Sequence, residues 1–565
     1  MIKLDIQERD GFLIMDDFPK NCIFNKVKTG CGATTIALTN DENYIIAVPT
    51  TELVINKCYP PKDKDGRDIA WKKSQIQAGV SPTNDRLFGL YGKFTKIVQI
   101  QLNKFLAKDG VKKIICTYDK VDKLIDLINP LEFKILVDEY HNLLKQYGFR
   151  TKVINQIIEK FKCFKSHCFL TATPIPERFK PKVFAEMKEY IANWQIVDKI
   201  TIYPCPCVKA STTAANVIKH YKDNGHFVLD GIKSEEAYFF VNSVREIKEI
   251  LEQAKLTNDE CRIICADDEM NHYKLEGFEI SSSTAPVKRF TFVTCKAFEG
   301  VDYYSETAIC FIVSDGYNKH TLISIDMDIP QIAGRIRTKS NPFRNKIVHI
   351  FNAKAVNYYV PFDVMEERIE DELATARRRV EQLNRETDIK ILKQQDKEFE
   401  RLGVHTYIIK KDGRYEVNDM VAQLKLYQHW TTHIVYRSSE ALQEAYKELG
   451  MTVTKGYEWS IADDSAVKDA LKPPQFRDRL KRFCDLKEKL SLTDNEQREL
   501  RVITDKYPFL EQGYKQLGQT LRRYRRHYKI FCVNVKYGIQ YGFRIFYLIA
   551  LQNEENYERE ESCSA

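Results

Sequence analysis

The sequence predicts an α/β chain of doubly wound parallel sheets followed by a mainly helical C-terminal region. Two observations carry this expectation. Short, mainly apolar runs of strand length alternate with longer amphipathic stretches, as at 44–49, 114–118, 133–137 and 168–170. Strands buried on both faces read this way, and their alternation with helices makes a parallel sheet. Residues of chemical interest follow directly on the ends of these runs. On doubly wound sheets, ligands sit beyond the carboxyl ends of the strands.

The first such residues form a glycine loop at 25–35, Asn-Lys-Val-Lys-Thr-Gly-Cys-Gly-Ala-Thr-Thr. Gly30 and Gly32 let the backbone curl until its N–H groups point at a phosphate, and the Thr34 hydroxyl then stands ready for Mg²⁺. A phosphate loop of this kind closes on Gly-Lys-Thr, and here Ala33 takes the lysine's place. A plain turn entering a helix at 34–38 is the alternative reading of the glycines alone.

The apolar run at 44–48 ends at Pro49, with Thr50 and Thr51 directly after it. Residues 59–86, with Pro60, Pro61, Gly66 and Pro82, read as an inserted loop. The run at 133–137 leads straight into Asp138-Glu139-Tyr140-His141, and the run at 168–170 into Thr171-Ala172-Thr173-Pro174. A carboxylate at the end of a buried strand holds Mg²⁺ through water, and its neighbour orients and deprotonates an attacking water. Thr34 and Asp138 are therefore the expected metal ligands, and Glu139 the expected general base.

On these residues the chain resembles the superfamily-two helicases of the DExH type. The Asp138–His141 box, Thr171-Ala172-Thr173 as coupling motif, and Pro49-Thr50 with Cys116-Thr117-Tyr118 as nucleic-acid contacts stand in the family's order and spacing. The resemblance covers about the first 355 residues. It implies ATP as substrate with Mg²⁺, two tandem RecA-like sheets, and a nucleic-acid surface that includes Pro49, Thr50, Thr117, Thr171 and Thr173. It also implies a phosphate site made of Lys28, Thr29, Gly30, Cys31, Gly32, Ala33, Thr34 and Thr35.

For the second sheet the sequence offers a strand at 225–229, a helix at 237–244, and strands at 262–265 and 290–294. The stretch 296–302, Lys-Ala-Phe-Glu-Gly-Val-Asp, looks like the family's fifth motif and brings Gly300 and Asp302 to the nucleotide. The stretch 331–337, Gln-Ile-Ala-Gly-Arg-Ile-Arg, looks like its sixth, with Gln331, Arg335 and Arg337 as catalytic residues. Arg337 follows Arg335 by two positions, a spacing that resembles the herpesvirus origin-binding type of helicase. An arginine delivered from a second domain completes such a site only on closure. Lys28 lies where the deviant phosphate loops of some partner-activated ATPases carry an extra lysine. It is therefore expected to replace the charge missing at Ala33, with Lys26 as the rival donor.

Composition sets the bounds. A chain of 565 residues, 43% hydrophobic and 12% aromatic, has ample material for several packed cores. No apolar run approaches the roughly 18–20 residues that span a bilayer, and no signal-peptide pattern opens the chain. The 15 cysteines are an odd number scattered along the chain. They read as reduced core thiols in a cytoplasmic protein, or in the host cytoplasm if the chain is viral.

Residues 359–402 read as a long charged helix with a heptad-like seam at Met365, Ile369, Leu373, Ala376, Val380 and Leu383. An arm packed on the core is favoured over a dimeric coiled coil. A hairpin follows at 407–417. The expected domains are 1–198 and 199–358 for the two sheets, 359–402 for the charged helix, 403–511 for a mainly helical accessory domain, and 512–565 for a basic aromatic tail. From 512 to 553 there are eight Lys or Arg and no Asp or Glu, which equals the chain's net charge of +8. Arg522, Arg523, Arg525 and Arg526 among Tyr524 and Tyr528 suit phosphate contact plus base stacking.

The function expected is an ATP-dependent helicase or translocase on nucleic acid, DNA favoured over RNA, with replication or mobile-element proteins as partners and no membrane. The alternatives are a catalytically weak ATP-binding clamp of the same fold, and an RNA helicase.

Overall fold

The computed structural model describes residues 1–60, 69, 71–283, 285–353, 359–411, 413–454, 476–489, 492, 494–506, 510, 511 and 514. The chain divides into two compact units, Met1–Glu458 and Trp459–Ala565.

The first unit is built on two large sheets. The first takes β1 (Ile2–Asp5), β2 (Cys22–Asn25), β3 (Tyr44–Val48), β4 (Gly79–Ser81), β5 (Asn84–Leu90), β6 (Lys113–Thr117), β7 (Lys134–Asp138), β8 (Ser166–Thr171) and β9 (Lys188–Asn193). Their spatial order is β1-β9-β2-β8-β7-β3-β6-β5-β4. All neighbours are parallel except the edge pair β4–β5. Strands β3, β6 and β7 are buried along their whole length, as strands covered on both faces must be. The chain leaves β2, crosses to β3 and β6, then returns through β7 and β8, which lie between β2 and β3. The loops after β2, β7 and β8 therefore share one carboxyl edge, with Thr171 paired to Asn25 and Leu170 to Asp138. Among the helices that join these strands are α1 (Ala33–Thr39) after β2 and α2 (Thr51–Cys58) after β3.

The second sheet takes β10 (Thr201–Pro206), β11 (Ala237–Val241), β12 (Cys261–Ile264), β13 (Phe290–Val293), β14 (Ile309–Asp315), β15 (Lys346–Asn352) and β16 (Thr452–Val453). Its order is β12-β13-β11-β14-β15-β10-β16, parallel throughout. A short helix, α3 (Asp328–Ala333), follows β14. The two tandem RecA-like sheets expected from the sequence are present.

Several local expectations are corrected. Residues 237–241 form the central strand β11 rather than a helix, because an Ala-Tyr-Phe-Phe-Val run is buried on every side and fits a pleated surface. The helix there begins at Val244, capped by Ser243. The strand expected at 225–229 is Phe227–Leu229, and it pairs in a separate hairpin with Ile232–Ser234. The inserted loop at 59–86 contains β4 and the start of β5.

The charged arm is two helices rather than one, α4 (Phe362–Arg385) and α5 (Ile389–Leu402). Glu386 turns extended, and Asp388 caps the second helix through the Lys390 N–H. The seam residues Ile369, Leu373, Ala376 and Leu383 pack in the apolar cluster of the first sheet. The hairpin Ile408–Lys411 with Arg414–Val417 and helix α6 (Asp419–His429) join the same cluster. Helix α7 (Ser439–Glu448) packs with the second sheet, and β16 extends that sheet. Residues 403–453 thus belong to the first compact unit instead of opening an accessory domain. Within the second unit, α8 (Phe476–Lys487) and α9 (Asp494–Lys506) share a small core of Leu480, Phe483, Cys484, Leu486 and Ile503. Among the described residues no helix is long and apolar enough to cross a membrane. Arg522, Arg523, Arg525 and Arg526 lie outside the described residues.

Candidate nucleotide site between the two sheets

The loop after β2 is held by its backbone. Lys26 N–H donates to Thr171 O at 2.8 Å, extending the β2–β8 ladder one residue beyond the strand. Val27 then adopts φ 62°, and Lys28 N–H folds back onto Lys26 O at 2.6 Å. A β-branched residue at positive φ is a strained outlier, and such strain collects where a loop must serve a ligand. Gly30 and Gly32 also have positive φ, at 65° and 75°, and α1 starts at Ala33. From the N-terminal hairpin, Leu13 N–H donates to Cys31 O at 2.8 Å.

At the end of β7 the two carboxylates divide their partners. Asp138 Oδ2 accepts the Thr34 hydroxyl at 2.7 Å, and Oδ1 accepts the Glu139 N–H at 3.0 Å. Glu139 sits at φ 52°. Its Oε1 accepts Lys26 Nζ at 2.7 Å, and its Oε2 accepts the Thr171 hydroxyl at 2.9 Å and Gln331 Nε2 at 3.0 Å. Lys26 Nζ is also 3.5 Å from Asp138 Oδ1. Burial alone would lower the Lys26 pKa, but Glu139 and Asp138 raise it above the usual lysine value.

Gln331, on α3, brings the second sheet to this cluster. Its Nε2 also donates to the Thr173 hydroxyl at 3.1 Å, and its Oε1 accepts Arg335 Nη2 at 3.1 Å. Arg335 is buried, with Nε on Gln331 O at 2.8 Å. Its burial, with Arg337 nearby, lowers its pKa. Arg337 pairs with Asp302 at 2.6 Å, and its guanidinium lies directly on the phosphate loop, where a Cβ on Gly30 would come within 1.9 Å of it. Gly334 is as tightly met, since a Cβ there would lie 1.7 Å from the Thr29 hydroxyl oxygen. Gly300, at φ 72°, faces Leu53 of α2, and its carbonyl accepts Asn56 Nδ2 at 2.7 Å.

A second bridge between the sheets was not anticipated. Glu299 Oε1 meets His141 Nε2 at 2.8 Å, and Oε2 accepts Asn142 Nδ2 at 2.6 Å. The other His141 nitrogen meets the Thr171 hydroxyl at 2.9 Å. Burial would raise the Glu299 pKa, yet His141 and Lys145 bring it down to about 2. Lys145 in turn pairs with Asp328 at the start of α3. Glu299 stands inside the 296–302 stretch, so the signal was present but attached to Gly300 and Asp302.

Many of the expected site residues fall into two groups. Thr34, Asp138, Glu139, Gln331 and Arg335 form one connected network, and Thr29, Gly30, Gly300, Asp302 and Arg337 line the contact between the sheets. Lys28 joins neither group. The turn at Val27 carries it away, and its amine lies 4.2 Å from the Trp194 ring centroid and 3.8 Å from Glu8. Thr171 and Thr173, grouped with the expected nucleic-acid contacts, are buried and bonded to Glu139, His141 and Gln331. Thr117 is buried too, while the Thr50 hydroxyl caps α2 through the Leu53 N–H. Pro49 O accepts Arg150 Nη1 at 2.8 Å.

Thr34 and Asp138 suit Mg²⁺. A hydroxyl and a carboxylate oxygen 2.7 Å apart are hard oxygen ligands on one side of a site. Mg²⁺ characteristically takes one or two protein carboxylates and leaves its other positions to water and phosphate.

No family model and no curated protein matches the sequence. Solved structures similar in chain arrangement are the DEAD-box helicase Mss116 bound to ssRNA and UDP-BeF (TM-score 0.38, 11% identity, 64% of this chain and 79% of that one), and the Mycobacterium smegmatis helicase Lhr bound to ssDNA and AMP-PNP (0.38, 10%, 88% and 70%). The DUF1998 helicase MrfA bound to DNA and AMPPNP gives 0.37 at 12% identity, over 70% of this chain and 57% of that one. The chain itself shows two doubly wound, largely parallel sheets in tandem, with the glycine loop, the carboxylate pair and Gln331 meeting between them.

Proposed function

We propose that the protein is a nucleic-acid-dependent ATP hydrolase, a helicase or translocase, that cleaves ATP between its two sheets. The observation that carries this reading is the convergence on Glu139, whose two oxygens are held by Lys26 and Thr171 of the first sheet and by Gln331 of the second. A carboxylate fixed from both sides is competent in one relative position of the sheets and perturbed in others. That is the requirement for coupling hydrolysis to domain movement.

In the reaction, Glu139 orients a water and accepts its proton as the oxygen attacks the γ-phosphorus. The bond to the β,γ-bridging oxygen breaks, and its electron pair leaves with ADP. Backbone N–H groups of the loop around Gly30 and Gly32 bind the phosphates. Thr34 and Asp138 would hold Mg²⁺, which when bound offsets phosphate charge. From the second sheet, Arg335, bonded to Gln331, and Arg337, paired with Asp302, would have to exchange those partners on closure to serve the nucleotide, where an arginine delivered in this way is worth roughly 10³–10⁵ in rate. The strand substrate is single-stranded nucleic acid, with DNA the first to test.

Ala33 favours a second reading, an ATP-binding clamp that hardly turns over. Turnover of ATP by the purified chain, with and without single-stranded DNA or RNA, separates the two. Stimulated turnover in the parent that Glu139→Gln reduces by about 10²–10⁴, the range of a general base, supports the motor. ATP binding without turnover under any nucleic acid supports the clamp, and no ATP binding at all removes both.

A further inference from the structure

The phosphate loop lacks its lysine, and neither arginine of the second sheet compensates directly. Arg335 is spent on Gln331, and Arg337 pairs with Asp302. Yet a lysine does stand against the reactive carboxylates, having entered from the strand side of the loop instead of the helix side.

Lys26 is the residue immediately after β2. Its backbone is fixed by three hydrogen bonds: its N–H on Thr171 O at 2.8 Å, and its O accepting Trp194 Nε1 at 2.8 Å and Lys28 N–H at 2.6 Å. The side chain is 95% buried, being 5% exposed, and aims its amine between Glu139 Oε1 at 2.7 Å and Asp138 Oδ1 at 3.5 Å. On the far side of Asp138, Oδ2 holds the Thr34 hydroxyl. The amine therefore shares a carboxylate with the Mg²⁺-type pair. The terminal phosphates of a nucleotide held by this loop must come to the same place.

Resting on the proposed ATPase reading, we infer that Lys26 supplies the phosphate-neutralising charge that Ala33 cannot, so that the terminal phosphates of ATP are bound by a strand-borne lysine. Without nucleotide the amine is parked on Glu139. When the phosphates arrive it exchanges carboxylate for phosphate oxygens, and Glu139 is released to take a proton from water. A lysine does this from either direction, because its ammonium is a point charge on a flexible stem. Asn25 supports the arrangement, since its Oδ1 accepts the Val27 N–H at 2.9 Å and steadies the turn that sends Lys28 outward and leaves Lys26 inside.

The test is binding rather than turnover, so that it reads the phosphates directly. Affinities for a fluorescent ATP and the matching AMP are measured with Mg²⁺ for the parent, Lys26→Ala, Lys28→Ala, and Lys26→Ala combined with Ala33→Lys. Lys26→Ala should weaken ATP binding by roughly ten- to a hundredfold, the worth of a charge-assisted hydrogen bond, and leave AMP affinity nearly unchanged. Ala33→Lys in that background should restore part of the loss. Because Lys26→Ala leaves two buried carboxylates facing each other, Lys26→Met with Glu139→Gln is measured beside Glu139→Gln alone, and thermal melts check folding. The same loss of ATP over AMP in that pair supports the assignment. ATP affinity unchanged by Lys26 substitution in both backgrounds overturns it, as does a loss confined to Lys28→Ala. If the parent binds ATP normally and only the Lys26 variants fail to differ, the ATPase reading survives without this residue. If the parent binds no ATP, both fall.

Discussion

Glu299 offers a measurement of how strongly the two sheets hold each other. Removing its carboxylate by Glu299→Ala deletes the contacts to His141 at 2.8 Å and to Asn142 at 2.6 Å and leaves both groups buried. Hydrogen bonds to a charged group contribute about 1.5–3 kcal/mol each, so the contacted arrangement should lose about 3–6 kcal/mol before relaxation. A double-mutant cycle isolates the His141 share: Glu299→Ala, His141→Ala and the pair, read as the ratio of contacted to separated sheets by energy transfer between labels on each. A coupling energy of about 1.5–3 kcal/mol is expected. Effects that simply add, within about 0.5 kcal/mol, would refute the bridge. The pH dependence has a definite sign. The folded pKa of Glu299 is depressed from 4.5 to about 2, so its contribution is complete above pH 4.5 and is lost as pH falls toward 2. Between pH 5 and 8 the Glu299 charge should therefore be invariant, and any change there must come from another group.

Gly30→Ala should weaken both nucleotide binding and sheet contact, because a Cβ would meet the Arg337 guanidinium at 1.9 Å from a backbone already at φ 65°. Paired with Arg337→Ala, the sheet contact should partly recover, and failure to recover would show that backbone strain alone is responsible. Deleting residues 512–565 should lower nucleic-acid affinity across sequences and flatten its salt dependence by roughly 0.7 logarithmic units per lost single-strand phosphate contact. Binding at low salt that survives the deletion would assign the tail another role.

In the first sheet β3, β6, β7 and β8 were legible as mainly apolar runs with the chemistry at their ends, while β2, although buried, went unread. The second was harder. Residues 237–241 were read as helix because Phe239 and Phe240 follow Tyr238 without the alternation of a half-exposed strand, and a short apolar run does not separate a buried strand from a buried helix. Strands β10, β14 and β15 carry no adjacent motif and went unread. Residue types and order picked out Thr34, Asp138, Glu139, Gln331 and Arg335, which the fold brings into one network. They did not identify which lysine faces inward. Alternation along a strand would turn Lys26 and Lys28 to the same side, but β2 stops at Asn25 and Val27 takes positive φ, so the period of two no longer applies. Glu299 was hidden for a similar reason, since its importance lies in a partner 158 positions away in sequence.

The helix α6 adds a constraint that the nucleotide site does not contain. Tyr427 donates to Asp326 at 2.6 Å and meets the Ser324 hydroxyl, both on the loop leading to α3, while its ring packs edge-on against Phe179 of the first sheet at 5.2 Å. Asp326 is half-buried, desolvation of its carboxyl raises its pKa, and its Oδ2 has no hydrogen-bond partner. Trp430 packs on Phe179 as well, and Tyr147 donates to Asn418 just before the helix. Among the contacts that join the sheets, two sets differ in kind. One runs through Glu139, Gln331, His141 and Glu299, where the proposed ATP chemistry would disturb it. The other runs through Tyr427 and involves no group that a nucleotide would touch. A motor whose sheets separated completely in each cycle would have to break both, burying and exposing Phe179, Tyr427 and Trp430 each time. Movement that preserves the aromatic set and opens only the carboxylate set costs far less, since aromatic pairs of this kind add about 0.5–1.5 kcal/mol each beyond their burial. In the proposed motor this arrangement favours a rotation about α6, which acts as the pivot while Glu139 lies on the part that opens.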